Sequence, residues 1–149
     1  MIALVFDINP AIEASRLLAI AREAYQQYVA AIGKEPAPMV ADYAAHIAND
    51  TILTASQEGV VIAFAIIIEK QDGFWLETIA VADGHRGQGV GTALLGQVER
   101  LIATKARFYQ LYTNEKMTSN KSWYLALGFV LTQVKTQDGY RRIFFKKEL

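Results

Sequence analysis

The sequence contains no cysteine and only two histidines, His46 and His85. Without cysteine the chain can form no disulfide bond, hold no metal through thiolates and use no cysteine nucleophile. The two histidines are far apart in the sequence and have no thiolate ligands beside them, so their pattern does not indicate a metal site. We therefore expect an enzyme or binding protein that works without a metal.

The sequence also lacks an excess of charge and a long apolar run. Its 15 basic residues balance its 15 acidic residues, so no general attraction to nucleic acid or to a membrane surface is expected. No stretch approaches the roughly 18 apolar residues of a membrane span. The first residues, MIALVFDINP, lack the positive start of a signal peptide. We expect a cytoplasmic protein, monomeric or homodimeric, without nucleic-acid or membrane partners.

The residues that are present indicate one folded domain over residues 1–149. Hydrophobic residues make up 52% of the chain, enough for a substantial core. Apolar runs bounded by turn residues predict strands at 2–8, 51–57, 60–69, 74–82, 108–113, 129–136 and 140–147. Three- and four-residue apolar spacing predicts helices at 11–32, 42–48, 90–103 and 119–127. This order predicts an α/β fold, in which helices cover both faces of one mixed sheet.

A glycine-rich loop, R-G-Q-G-V-G at residues 86–91, connects a predicted strand to a predicted helix. Gly87, Gly89 and Gly91 remove every second side chain, which lets backbone N–H groups approach an external ligand. The positive end of the following helix points at the same place. This combination is typical of a phosphate-binding site. The alternative is a glycine-rich turn that binds no ligand.

Two common phosphate-binding loops do not fit these residues. The P-loop pattern requires lysine followed by serine or threonine, where this chain has Val90 and Gly91. The dinucleotide-binding pattern requires glycine where this chain has Thr92, and no acidic residue follows at the expected distance. The spacing therefore disfavours both a nucleoside triphosphatase and a dinucleotide-dependent enzyme.

The loop does match a third pattern, Arg/Gln-x-x-Gly-x-Gly/Ala, through Arg86, Gly89 and Gly91. A second segment downstream, NEKMTSNKSWYLALGF, carries Tyr124 four residues before a Gly-Phe pair. In these two segments the sequence resembles the GNAT superfamily of acyl-CoA-dependent N-acetyltransferases. The resemblance implies a mostly antiparallel sheet of about seven strands, splayed between the strands at 74–82 and 108–113.

In this family the backbone groups freed by the splay bind the pantetheine arm of coenzyme A, and the glycine loop binds its pyrophosphate. The resemblance therefore implies acetyl-CoA as the co-substrate. The residues implied in binding it are Ile79, Ala80, Val81, Arg86, Gly87, Gln88, Gly89, Val90, Gly91, Thr92, Asn114, Asn120 and Tyr124. For Asn120 the alternative is an N-cap role at the start of the helix at 119–127, for which Ser119 is an equal candidate.

Two residues are candidates for the chemistry of acetyl transfer. The resemblance implies that the Tyr124 hydroxyl protonates the departing thiolate, a role that suits a phenol with a pKa of about 10. The alternative is a tyrosine that only packs in the core. Glu77, expected on the same strand face as Ile79 and Val81, is a candidate base for the acceptor amine. The alternative is a solvent-facing glutamate.

The predicted function is direct transfer of the acetyl group of acetyl-CoA to a primary amine of a small molecule, peptide or protein. The alternative is a non-catalytic acyl-CoA-binding sensor or interaction domain on the same fold. Trp75 is expected to wall the acceptor site, and further candidates for its lining are Tyr25, Tyr28, Met39, Tyr43, Tyr112 and Tyr140. The basic cluster of Arg141, Arg142, Lys146 and Lys147 is expected to be a solvated strand face.

Overall fold

Seven strands form one mixed sheet in the computed structural model, which describes residues 3–149. In chain order they are β1 (Val5–Ile8), β2 (Thr51–Gln57), β3 (Val60–Lys70), β4 (Gly73–Val81), β5 (Phe108–Asn114), β6 (Val130–Gln137) and β7 (Tyr140–Glu148). Their order across the sheet is β1-β2-β3-β4-β5-β7-β6, and only the β4–β5 pair is parallel among these described strands. The predicted mostly antiparallel sheet of seven strands is confirmed. The first strand begins at Val5, and Ile2 lies outside the described residues.

Helices cover both faces of this sheet, as predicted. They are α1 (Ala14–Tyr25), α2 (Val29–Ile32), α3 (Tyr43–Asn49), α4 (Val90–Ala103) and α5 (Thr118–Ala126). The helical region expected over 11–32 begins later and is divided, because a 3-10 turn at Gln26–Tyr28 separates α1 from α2. α2 ends at Gly33, whose φ of +87° lies in the left-handed region that favours glycine.

Two apolar cores, one on each face, hold the helices to the sheet. On one face, Leu94 and Val98 of α4 belong to the same cluster as Leu111 of β5. On the other face, Leu17 of α1 belongs to the same cluster as Phe64 of β3. None of these five residues is more than 1% exposed, and burial of each side chain contributes about 1.5–3 kcal/mol. β3 supplies residues to both cores, which explains why its sequence is apolar from Val60 to Ile68.

β4 and β5 pair at only two positions, Trp75 with Gln110 and Leu76 with Leu111. Beyond these pairs the two strands separate, although each continues for several residues more. The predicted splay is therefore confirmed. It leaves backbone N–H and C=O groups in the described sheet without a partner across the gap, and such groups need hydrogen bonds from solvent or from a ligand.

A β-bulge at Glu77 changes which face the end of β4 presents. Leu76 and Thr78 pair with consecutive residues of β3, so Glu77 is the extra residue between them. A bulge of this kind reverses the alternation of side chains that follow it. Ile79 and Val81 consequently pack into the core beneath α4. The expectation that they share a face with Glu77 is wrong for this reason.

Candidate active site

An open groove runs along the glycine loop. It is lined by residues of the loop itself at 85–87 and 89–92, of the end of β4 at 79–81, of α1 with the turn that follows it, and of α5. We call it the loop groove. All the residues predicted to bind acetyl-CoA line it except Gln88, Asn114 and Tyr124. It comprises about 1100 Å³ including its open side.

The loop presents backbone N–H groups at the start of α4. The Ala93 N–H donates to the Gly89 carbonyl at 3.0 Å, which is the first hydrogen bond of the helix. The N–H groups of Val90, Gly91 and Thr92 precede it and so have no acceptor within the helix. Gly89 is the N-cap, and its φ of +80° is accessible to glycine without strain. Because no described side chain caps this helix, an anion can accept hydrogen bonds from its first N–H groups.

Arg86 lines the loop groove and donates from its guanidinium to the Asp83 carboxylate at 2.6 Å. This hydrogen bond and the positive charge of Arg86 lower the pKa of Asp83 below its usual value. Both side chains are exposed, so the ion pair orients Arg86 but contributes little to stability. The Gln88 amide donates instead to the Gly84 carbonyl at 3.4 Å.

A second cavity opens at the splay. Both separated strands line it, through residues 76–79 of β4 and 112–114 of β5. Further walls come from Tyr124, Tyr140 and the proline loop at 36–38. We call it the tyrosine cavity. It comprises about 700 Å³ including its mouth.

Tyr124 has its ring in a core and also lines the tyrosine cavity. The ring packs edge-on against Phe129, with 5.4 Å between centroids, and the residue is only 5% exposed. Its hydroxyl has no hydrogen-bond partner among residues 3–149. Burial, followed by the effect of Tyr25 and Tyr28, raises the pKa of Tyr124 well above the ordinary value. The phenol therefore keeps its proton at any physiological pH.

Glu77 lines the tyrosine cavity, because it follows Leu76 of the α4 core and successive side chains of a strand point to opposite faces. The Tyr112 hydroxyl donates to the Glu77 carboxylate at 3.3 Å. Burial and the nearby carboxylate raise the pKa of Tyr112 to about 12, against an opposing effect of Arg142. The carboxylate thus faces the cavity and not an exposed sheet surface.

The two cavities meet between β4 and α5. Tyr25, Ile79 and Asn120 line both of them. The N-cap alternative for Ser119 and Asn120 is wrong, because α5 begins at Thr118 and has no side-chain cap in the described chain. The Asn120 amide instead donates to the Met117 sulfur at 3.6 Å and accepts from the Tyr28 hydroxyl at 3.5 Å, at the junction of the two cavities.

Comparison with family models matches residues 48–131 to the acetyltransferase (GNAT) domain. The matched segment is more than half of the chain and contains the bulge, the splay, the glycine loop and Tyr124. The chain belongs to the GNAT acetyltransferase family. The resemblance noted in the sequence is confirmed. Among curated protein sequences, none matches this GNAT chain.

Solved GNAT structures share the fold over nearly the whole chain. The GCN5-related N-acetyltransferase from Rhodopseudomonas palustris is 22% identical with a TM-score of 0.80, covering 99% of this chain and 96% of its own. The PaiA N-acetyltransferase from Thermoplasma acidophilum, in complex with coenzyme A, is 18% identical with a TM-score of 0.75, covering 97% and 99%. A GNAT family acetyltransferase from Elizabethkingia anophelis, with acetyl-CoA bound, is 16% identical with a TM-score of 0.71, covering 98% of each chain. At these identities the likeness shows the fold.

The structure brings into this GNAT site a residue that the sequence analysis assigned to a solvated strand face. Arg142 is only 9% exposed and lines the tyrosine cavity. It pairs with Asn114, the last residue of β5, in the β5–β7 ladder. Because β5 borders the splay, the residue of β7 that pairs with the end of β5 lies beside the cavity, and in this register that residue is Arg142. The expectation for Arg142 is therefore wrong, and the strand register that would have corrected it is not readable from the sequence.

His46 is a second cavity residue that the sequence analysis did not propose. Its Nδ1 lies 2.8 Å from a carboxylate oxygen of Asp50, and the histidine lines the tyrosine cavity. In the described part of the chain, no group of histidine and carboxylate residues is arranged to hold a metal. Across residues 3–149, no helix has the length and apolar character needed to cross a membrane.

The remaining predicted residues divide between the two cavities and the core. Asn114 lines the tyrosine cavity, and its side chain accepts the Lys116 N–H at 2.9 Å. Trp75 packs edge-on against Phe144 and does not line the tyrosine cavity in the described structure. Of the acceptor candidates, the cavity holds Tyr25, Tyr112 and Tyr140, the loop groove holds Tyr25 and Tyr28, and the α1-side core holds Met39 and Tyr43.

Proposed function

We propose that this protein transfers the acetyl group of acetyl-CoA directly to a primary amine. The observation that carries the proposal is the junction of the two cavities at Ile79 and Asn120. The loop groove offers N–H groups for phosphates, whereas the tyrosine cavity holds a carboxylate and a protonated phenol. A donor in the first and an amine in the second would meet at the junction, which favours direct transfer.

The loop groove fits coenzyme A through its backbone. The N–H groups of Val90, Gly91 and Thr92 would hold the pyrophosphate, because they lie at an uncapped helix start. The backbone of β4 at 79–81, which has no β5 partner in the described sheet, would hydrogen-bond the pantetheine amides. When bound, acetyl-CoA supplies a thioester whose acyl carbon an amine can attack.

The tyrosine cavity would supply the proton transfers. An alkyl amine with a pKa of about 10 is mostly protonated at neutral pH, so it must lose a proton before it attacks. Glu77 would accept the amine's proton, directly or through water. As the C–N bond forms and the C–S bond breaks, Tyr124 would donate its proton to the departing sulfur. The raised pKa of Tyr124 keeps that proton in place beforehand.

The test measures thiol release from acetyl-CoA with a panel of primary amines, together with calorimetric binding of coenzyme A. We expect saturable binding, and thiol release that depends on an amine. If the protein binds coenzyme A but no amine causes thiol release from acetyl-CoA, the protein is a non-catalytic acyl-CoA-binding domain and not an enzyme. Failure to bind coenzyme A would overturn the role given to the loop groove.

A further inference from the structure

Arg142 is a buried cation in the wall of the tyrosine cavity, with only 10% of its side chain exposed. Its guanidinium carbon lies 4.4 Å from the ring centre of Tyr112 and 5.5 Å from that of Tyr140. The aromatic faces stabilise the charge in part. A buried cation nevertheless needs an anionic partner or several hydrogen bonds to offset the loss of its hydration.

The protein supplies little of that compensation. One terminal nitrogen of Arg142, Nη1, lies 3.4 Å from the Asp138 carboxylate and 3.3 Å from the Gln137 amide oxygen, and both contacts are long. Asp138 is 83% exposed, so water screens its charge. Among residues 3–149, the nitrogens Nη2 and Nε have no hydrogen-bond partner. Two nitrogens of the guanidinium, which carry three N–H donors, are therefore available to a ligand in the cavity.

The other charged group that faces the cavity beside Arg142 does not neutralise it. The Glu77 carboxylate accepts from Tyr112 and forms no ion pair with Arg142 in the described chain. The Glu77 carboxylate and the Arg142 guanidinium thus both face the cavity without forming an ion pair with each other in the described chain. An amine alone would complement the carboxylate and leave the guanidinium unpaired.

We propose that the acceptor is a small amine that also carries a carboxylate, as a free amino acid does, and that Arg142 binds this carboxylate. This inference rests on the proposed function. A guanidinium can bind a carboxylate through two parallel hydrogen bonds, and such pairs are among the stronger polar contacts. The acceptor's amine would then lie toward Glu77 and its carboxylate on Arg142.

The spacing of the two groups suits a compact zwitterion. The Tyr112 hydroxyl contacts Glu77, while the Tyr112 ring lies against Arg142. The carboxylate and the guanidinium therefore lie against the same tyrosine side chain, where one small molecule can contact both.

The proline loop argues for a small acceptor and against a long peptide. The Tyr140 hydroxyl donates to the Glu35 carbonyl at 3.0 Å, and Tyr43 donates to the Pro38 carbonyl. These bonds attach the loop to β7 and to α3 where it forms a wall of the cavity. The attached loop restricts the space for a polypeptide beyond the reacting amine.

The first experiment compares amino acids with the amines that their decarboxylation would give, such as leucine with 3-methylbutylamine and phenylalanine with 2-phenylethylamine. Each pair differs by the carboxylate, which also lowers the pKa of the adjacent amine, so kcat/KM is compared per neutral amine. We expect kcat/KM for thiol release to be at least tenfold higher for the carboxylated member of a pair that reacts. The amide of the same amino acid is a second reference, because it keeps the size but removes the charge.

The second experiment replaces the guanidinium. We expect Arg142→Gln to raise KM for the amino acid about 10- to 100-fold and to leave KM for the decarboxylated amine within about twofold. Arg142→Lys keeps the charge but not the two parallel hydrogen bonds, so its KM should be intermediate. Arg141→Gln is the matched control, because Arg141 is 59% exposed and pairs with Glu115 at the surface. Thermal unfolding of all three variants checks that they remain folded.

A binding measurement separates this inference from the proposed function. Amino acids are titrated by calorimetry into protein saturated with coenzyme A, which requires no turnover. Binding that Arg142→Gln abolishes supports the carboxylate site even where thiol release fails, and no binding by any amino acid overturns it. If an amino acid and its decarboxylated amine give equal kcat/KM for thiol release, the proposed acetyltransferase activity is supported and this inference is overturned. An equal effect of Arg142→Gln on both members of a pair would also overturn it, because Arg142 would then only support the β6–β7 hairpin.

Discussion

The Tyr25 hydroxyl donates a hydrogen bond to the Ile79 carbonyl at 2.9 Å. The bond joins α1 to β4 where the loop groove and the tyrosine cavity meet. Burial, followed by the effect of Tyr28, raises the pKa of Tyr25 above the ordinary value, so this donor stays neutral. Tyr124, buried nearby, has no such acceptor among residues 3–149. The two phenols therefore differ in role: one holds the backbone, and the other is available to a ligand.

Tyr124→Phe tests the proton donor. We expect kcat to fall about 100-fold or more, with little change in the free energy of unfolding, because the hydroxyl has no hydrogen-bond partner among residues 3–149. Tyr25→Phe is the control, since it loses a buried hydrogen bond and should cost about 1 kcal/mol of stability with a smaller effect on rate. Steady-state kinetics and urea unfolding of both variants make the comparison. An unchanged kcat in Tyr124→Phe would mean that the phenol serves only the core.

Glu77→Gln tests the base. The amide still accepts from Tyr112 but cannot take up a proton, so we expect kcat/KM at pH 7 to fall about 100-fold. The variant should recover as the pH rises from 7 toward 9.5, because the amine, with a pKa of about 10, then loses its proton to water. The measurement is the pH profile of kcat/KM. Glu69→Gln, an exposed change on β3, is the control. A Glu77→Gln profile that matches the wild type would assign the proton to another acceptor.

Gly89→Ala tests the helix start in the loop groove. Gly89 has a φ of +80°, and a side chain there costs about 1–2 kcal/mol of strain. We expect the Kd for coenzyme A to rise about tenfold, because relief of the strain would move the N–H groups of α4. Gly96→Ala is the matched control: Gly96 is an exposed residue of the same helix with open space around it. It should gain about 0.5–1 kcal/mol of stability with unchanged binding. Equal Kd values for both variants would contradict the role of the loop.

Alkaline pH should destabilise the folded protein through its buried tyrosines. Burial raises the pKa of Tyr112 to about 12, and it raises those of four others above the usual phenol value: Tyr25, Tyr43, Tyr109 and Tyr124. The unfolded chain releases these protons near pH 10, before the folded chain does. The stabilisation is therefore complete below about pH 10 and is lost as the pH rises toward 12 and beyond. Urea unfolding between pH 8 and 11.5 measures this loss, and a constant free energy over that range would contradict it.

The features that the sequence predicts well are local ones. The bounds of α4, Val90 to Ala103, follow from apolar spacing and from the glycines before it. The β2–β3 hairpin turns at Glu58 and Gly59, both with positive φ, and the glycine marks this turn in the sequence. The loop groove could therefore be located from residues that are neighbours in the chain.

The features that the sequence does not predict depend on pairing between distant segments. The bulge at Glu77 exists only relative to β3, and it decides which core receives Ile79. Arg142 reaches the cavity because β7 pairs with β5 in one particular register. A shift of one residue would have placed it on the opposite face. The splay itself was expected from the family resemblance and not from any spacing in the chain.

The two residue pairs between β4 and β5 divide the sheet into a panel of four strands and a panel of three, joined along a narrow hinge line. Any molecule that lies in the gap and bonds to both edges fastens the panels together. Its binding energy then contributes to the cohesion of the whole sheet, since a ligand that prefers the folded state stabilises it by mass action. The gap proposed to receive the substrates is thus also the junction of the described sheet with the fewest paired residues.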